Sequence, residues 1–267
     1  MTDRDDDLVG GVLTRREVLK LLGVTGAAVL TGCAPRLPGA TLIPTGTLSG
    51  AVTGTSGAGT GPATSAALPA CVVRPATTEG PYFVEEVLDR SDIRSDPASG
   101  ELRPGLPLEL IFRVMRVGAG TCLPLAGTPV NVWHCDALGV YSGVADPGFD
   151  TSGQKFLRGF QETDPYGQAR FLTIYPGWYP GRTVHIHFKV RSQAEDGSVY
   201  DFTSQLFFDD SLSDSVFATA PYAARGERRT RNQDDGIFQS GGEQLTLALS
   251  PIAEGYSATF DIGLRLD

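Results

Sequence analysis

From Cys71 onward, apolar and polar residues alternate with a period of two over short stretches, each closed by turn residues. Leu108 to Val117 lies between Pro107 and Gly118, and Val130 to Cys135 runs into the turn residues Asp136 to Gly139. Arg170 to Ile174, Thr183 to Val190, Tyr200 to Phe208, Gln244 to Leu249 and Ser257 to Leu264 repeat the alternation. Such alternation predicts half-buried strands. No i, i+3, i+4 pattern is sustained over three helical turns. Many short strands with Gly/Pro turns predict an all-β fold, a sandwich or a barrel. The polar stretch Asp209 to Gln239, with four arginines and two aspartate pairs, is expected to be irregular or briefly helical.

The first 70 residues read differently. Arg15 and Arg16 run into an apolar stretch, Leu21 to Gly32, too short to span a bilayer as a lasting helix. It ends in Leu30-Thr31-Gly32-Cys33, which resembles the lipobox of bacterial lipoproteins. The whole of 1–33 resembles a twin-arginine signal followed by lipidation of Cys33. From Ala34 to Ala70, thirty of 37 residues are Gly, Pro, Ser, Thr or Ala, and only Arg36 is charged. That composition cannot bury enough apolar surface to offset its ordering entropy, so 34–70 is expected to be a flexible linker. The expected organisation is therefore signal (1–33), linker (34–70) and one folded domain (71–267). The implied location is the outer face of the cytoplasmic membrane or the cell surface, with the membrane reached through the lipid.

With Cys33 assigned to lipid, Cys71, Cys122 and Cys135 remain, and an exported protein permits one disulfide among them. Cys122 and Cys135 fall at opposite ends of one expected strand, too far apart to bridge. Cys71 is expected to pair with one or the other. The formal net charge of −9 argues against a nucleic-acid partner.

The sharpest local feature is Tyr175-Pro-Gly-Trp-Tyr-Pro-Gly-Arg-Thr-Val-His-Ile-His-Phe-Lys-Val190. His185 and His187, two apart on a strand, face the same side, and Val184, Ile186 and Phe188 are expected to face the core. Two of only three histidines on one face form half of a candidate metal site. His134, the third, reads as structural.

This segment resembles the iron-binding signature of the intradiol ring-cleavage dioxygenases, the family of catechol and protocatechuate dioxygenases. The family's Tyr in a Pro-Gly-x-Tyr-Pro turn and its Arg-x-x-His-x-His strand are matched by Tyr179, Arg182, His185 and His187. The upstream tyrosine ligand, after a strand ending in Trp and a turn carrying Gly, is matched by Val132-Trp133-His134-Cys135-Asp136-Ala137-Leu138-Gly139-Val140-Tyr141. Thr78-Glu-Gly-Pro-Tyr82 resembles the entrance motif, and Phe156 to Gly167 the segment between the ligands.

The resemblance implies a β-sandwich holding non-haem Fe(III) through Tyr141, Tyr179, His185 and His187. Its implied reaction is cleavage of a small aromatic diol by O₂ to a cis,cis-muconate, with both oxygen atoms incorporated. It implies that Tyr179 is the displaceable ligand, that Arg182 stabilises developing negative charge, and that Gln161 lines the site. Gly80, Pro81 and Tyr82 are implied pocket residues. Two tyrosinates suit a hard ferric ion, whereas a structural zinc site uses Cys and His and closes every position. A copper/zinc superoxide dismutase-like sandwich also uses H-x-H but needs more than three histidines. The remaining alternative is a non-catalytic cell-surface binding module built on the same scaffold.

Overall fold

The computed structural model describes residues 71–267 apart from Glu86, Ala119, Glu195 and Asp267. Cys33, the twin arginines and the 34–70 segment lie outside the described residues.

Eleven strands are described: β1 (Pro107–Gly118), β2 (Thr121–Pro124), β3 (Pro129–Trp133), β4 (Ala145–Asp146), β5 (Phe149–Asp150), β6 (Arg158–Glu162), β7 (Gln168–Ile174), β8 (His185–Gln193), β9 (Val199–Phe207), β10 (Ser250–Pro251) and β11 (Tyr256–Leu264). One sheet is centred on β1, which pairs in parallel with β11 and antiparallel with β7 and β2; β10 extends it beyond β11. The other is antiparallel in the order β6-β3-β8-β9. Leu108, Leu110, Phe112 and Val114 of β1 are buried, and Val130, Val132, Ile186, Phe188 and Val190 meet them from the four-stranded sheet in one core. The Phe112 and Phe188 rings lie 5.1 Å apart across the interface. This is the β-sandwich that the alternating pattern and the family resemblance led us to expect. Each inward side chain from Leu, Ile, Val or Phe contributes about 1.5–3 kcal/mol on burial.

Between Asp209 and Gln239 the chain forms helix α1 (Asp210–Phe217), two short 3₁₀ turns and a single-turn helix α2 (Gly236–Gln239). Asp209 caps α1 by accepting from the Leu212 amide at 2.9 Å, and Asp235 caps α2 through the Ile237 and Phe238 amides.

Two expectations need correction. Gln244 to Leu249 is not a strand: Gly242–Leu245 forms a 3₁₀ turn, followed by one isolated bridge between Thr246 and Phe207. Its alternation is satisfied by burying Leu245 and Leu247, and because β9 stops at Phe207 no longer ladder forms. The disulfide joins Cys71 to Cys122, one of the two expected pairings, but the geometric premise was wrong. Cys122 lies on β2 and Cys135 follows β3, so they do not share a strand.

His134 is wholly buried; one ring nitrogen meets the Cys135 carbonyl at 2.8 Å and the other Thr173 Oγ1 at 2.6 Å. Burial lowers its pKa from 6.5 to about 4. Between those values the unfolded chain binds the extra proton and the folded one does not, so stability rises with pH there. His134 is therefore expected to cost the fold about 3 kcal/mol as the pH falls from 7 to 4. Urea midpoints across that range, at matched metal content, should fall less steeply in His134→Gln; an unchanged slope would refute the assignment.

Candidate metal centre

The outward face of the four-stranded sheet carries the chemistry. Along β8, His185, His187, Lys189 and Arg191 share the face opposite Ile186, Phe188 and Val190, as period two requires. In register, Trp133 sits beside His187 on β3, and Gln205 beside it on β9. The Trp133 indole stacks on the His187 ring, with centroids 5.0 Å apart and planes 7° from parallel.

Two loops complete the site. The Asp136–Tyr141 loop brings in Tyr141, which is 1% exposed. The irregular segment between β7 and β8 brings in Tyr179. The loops interlock through two glycines. Gly177 donates its amide to the Asp136 carbonyl at 3.1 Å, and a side chain on Gly177 would strike the Asp136 and Ala137 carbonyls. Gly139 has φ of +82°, and a Cβ there would overlap the Trp178 carbonyl. Gly139→Ala should push the two loops apart and cost about 2–4 kcal/mol. Its melting temperature and metal content should fall together; retention of both would show that the loops can separate without moving the tyrosines.

The donor atoms converge on His185 Nε2. Tyr179 Oη lies 3.0 Å from it, His187 Nε2 3.1 Å, Tyr141 Oη 3.5 Å and Arg182 Nη1 3.5 Å. His185 Nδ1 is 2.6 Å from the Thr183 carbonyl, which only accepts, so that nitrogen carries the proton and Nε2 presents a lone pair. Burial keeps both imidazoles neutral, lowering His185 to about 3 and His187 well below 6.5, with Arg182 adding to both shifts. Burial also raises both phenols, Tyr141 well above its usual value.

One lone pair cannot satisfy this many neighbours, and buried His187 Nδ1 has no hydrogen-bond partner among the described residues. A cation among the four atoms would resolve the crowding, with neutral imidazoles and ionised phenols as ligands. Two phenol oxygens and two imidazole nitrogens fit a hard, highly charged ion such as ferric iron. Among the described residues, no group of three or more His, Cys, Asp and Glu side chains is gathered to hold a metal. Half of the donors here come from tyrosine instead.

Arg182 is held from two sides. Its Nε donates to Asp235 Oδ2 at 2.8 Å and its Nη2 to Gln205 Oε1 at 2.5 Å, leaving Nη1 beside the donor cluster. Gln205 is fully buried and donates onward to the Thr78 carbonyl at 2.9 Å. Sequence reading missed both Asp235 and Gln205. Asp235 lay inside the polar stretch; the strand register beside His187 was the only signal for Gln205.

Gln161 is placed elsewhere. Its amide donates to Asp89 Oδ1 at 2.5 Å, and it pairs with Val130, three positions along β3 from Trp133, which adjoins His187. Tyr82 and Gly80 do reach the centre: the Tyr82 ring stacks on Tyr141 at 4.5 Å, and Gly80 lies against the His187 ring. Pro81 sits in the exposed turn between them. Lys189 pairs with Glu79 and lies over the Phe83 ring at 4.0 Å, so the 78–85 segment is fastened along β8 above the site. The Cys135 thiol, free and buried, donates to the Gly177 carbonyl at 3.6 Å. Burial, and then Asp136, push its pKa up, so it is not a reactive thiolate.

Residues 78–233 match the protein family described as Dioxygenase. The chain is 30% identical over 183 residues to the protocatechuate 3,4-dioxygenase beta chain of Burkholderia cepacia, covering 64% of this chain and 76% of that one. Among solved structures it resembles the intradiol ring-cleavage dioxygenase from Tetranychus urticae, with 32% identity and a TM-score of 0.64 over 73% of this chain and 95% of that one. It also resembles the dioxygenase domain of a dioxygenase carbohydrate-binding protein fusion from Streptomyces sp. SirexAA-E, at 28% identity and a TM-score of 0.51, over 73% of this chain and 100% of that domain. With the sandwich, the tyrosine–histidine cluster and the matched motifs in order along it, the chain belongs to the intradiol ring-cleavage dioxygenase family.

Proposed function

We propose that the protein is a non-haem Fe(III) dioxygenase that opens catechol-type rings with O₂ to cis,cis-muconate-type products. The observation that carries this reading is the convergence of Tyr141, Tyr179, His185 and His187 on one buried point beside Arg182. Ferric iron held there would supply Lewis-acid activation of a bound aromatic diol toward O₂.

The chain's own residues do the rest. Tyr179 Oη, on an irregular and partly exposed segment, would be ionised as a ligand of that ion and so could take a proton from the incoming diol. Arg182 Nη1 places a fixed positive charge where negative charge grows in the transition state, and Asp235 and Gln205 hold the guanidinium in place. Trp133, Tyr141 and Tyr82 exclude water from one side of the centre. In the organisation proposed with it, residues 1–33 are an export signal ending at lipidated Cys33, 34–70 a spacer, and 71–267 the catalytic domain. That arrangement places the domain outside the cytoplasmic membrane, tethered to its surface.

Purified protein should contain about one iron per chain, and phenolate-to-iron charge transfer should colour it red. Oxygen uptake on adding catechol tests the reaction. Colourless, iron-free protein that consumes no oxygen would leave the scaffold as a binding module. Mass spectrometry of the membrane fraction tests the anchor: a diacylglyceryl Cys33 is expected, and an unprocessed soluble chain would refute it.

A further inference from the structure

The hairpin formed by β4 and β5 stands beside the candidate centre, and Val144 and Phe149 pack with Tyr82 against Trp133, Cys135 and Tyr141. The two oxygens of Asp146 are used differently. Oδ1 accepts from the Gly148 amide at 3.1 Å within the hairpin's own turn. Oδ2 accepts from Tyr82 Oη at 2.8 Å. Tyr82 in turn lies over Tyr141, 24° from parallel, and edge-on to Tyr179 at 6.0 Å. One hydrogen bond thus joins the 78–85 segment to the hairpin, across the aromatic group that contains both candidate tyrosine ligands. Tyr82 and Asp146 are partly exposed whereas Tyr141 is buried, so the bridge lies on the solvent side of that group.

The charges around it are unequal. Arg182 is matched by Asp235, and Lys189 by Glu79. Asp146 has no ion pair among the described residues, and its only side-chain donor is the Tyr82 hydroxyl. A diol reaching the donor cluster past Tyr82 therefore meets an aromatic face and an uncompensated carboxylate.

Resting on the dioxygenase reading above, we propose that the Tyr82–Asp146 pair is a charge filter for the ring substituent. It admits diols whose ring carries a neutral or hydrogen-bond-donating group and rejects those carrying a carboxylate. A neutral ring stacks on Tyr82 at no electrostatic cost. A hydroxyl or amine substituent can donate to Asp146 Oδ2 beside the Tyr82 hydroxyl. A substituent carboxylate would face the partly exposed Asp146, which has no ion-pair partner among the described residues, and like charge would repel it. The substrate class is thus narrowed to uncharged and hydroxylated catechols.

The test uses the full-length, iron-loaded protein with 4-methylcatechol and 3,4-dihydroxybenzoate, in the wild type, Asp146→Asn and Tyr82→Phe. Wild-type kcat/KM should favour the methyl compound by about tenfold or more. Asp146→Asn keeps an acceptor for Tyr82 but removes the charge, and should narrow that ratio at least about fivefold, through a lower KM for the carboxylated diol. Tyr82→Phe leaves the carboxylate without its donor and should keep or widen the ratio. Anaerobic titration of both diols, read by quenching of the intrinsic aromatic fluorescence, should give the same order of affinities without turnover. A wild type that binds or cleaves the carboxylated diol as well as the methyl compound overturns the filter. So does an Asp146→Asn protein with the wild-type ratio. Absence of oxygen uptake with every catechol, while binding still discriminates by charge, would overturn the dioxygenase reading and leave the filter standing.

Discussion

Arg182→Ala is expected to lower catechol turnover at least about a hundredfold while the iron stays bound. The guanidinium is not one of the four proposed ligands; its Nη1 stands 3.5 Å from His185 Nε2, beside the cluster. The other two nitrogens are committed, Nε to Asp235 and Nη2 to Gln205, which fixes the direction of the third. A charge fixed in this way pays no reorganisation cost as negative charge develops, and that is why its loss falls on the transition state. Arg182→Lys keeps the charge but has no planar fork to hold Asp235 and Gln205 together, so its turnover should fall between wild type and Ala.

The same substitution touches stability. Asp235 is 1% exposed at its side chain. Burial alone would raise its carboxyl, but the Thr183 amide and then Arg182 overcome that and hold it below the usual range. Its backbone donors from Thr183, Ile237 and Phe238 survive the loss of Arg182. The Ala variant should therefore be weakened by about 1–3 kcal/mol rather than unfolded. Oxygen uptake, iron analysis and a melting curve on one preparation separate the two effects. Near wild-type turnover in Arg182→Ala would remove the residue from the chemistry.

Replacing the two tyrosines should give opposite failures. Tyr141 is 1% exposed, stacked under Tyr82, and its carbonyl accepts from Thr151 Oγ1 at 2.6 Å. Tyr179 lies on a segment without regular structure between Tyr175 and Val184 and is partly exposed. A side chain anchored on every side suits permanent ligation; one on an irregular segment can leave and return. Tyr141→Phe removes a proposed direct ligand and should weaken iron binding more than Tyr179→Phe does. Tyr179→Phe should keep iron, lose part of the colour and lose most of the turnover, because the proton acceptor for the diol is gone. Equal iron loss and equal residual activity in both variants would refute the division of roles.

Much of this site was legible before any fold was known, for a physical reason. His185 and His187 are two apart in an alternating run, and a strand forces such residues onto one face whatever surrounds it. The alternation likewise forecast strands at β1, β3, β8, β9 and β11, and on β8 it forecast that Ile186 and Phe188 face the core. Very short strands such as β4 and β10 have too few residues for a period to register, and Gln244 to Leu249 alternates without a partner edge to pair with. Gln161 and Gln205 illustrate what local pattern lacks. Both are polar residues within strands, and only the register decides which one lies beside His187.

What the sequence determined by itself was therefore whatever follows from neighbours along the chain: the β-class, the faces of β8, the turn residues and the histidine pair. Tertiary structure alone decided which distant residues complete the centre. Asp235 reaches Arg182 from 53 positions away, and Asp146 reaches Tyr82 from 64. Gly139 and Gly177 let two loops cross at backbone distance, a requirement invisible until both loops are in place. Spacing along the chain records local geometry, whereas these contacts depend on how two sheets and their loops close on one another.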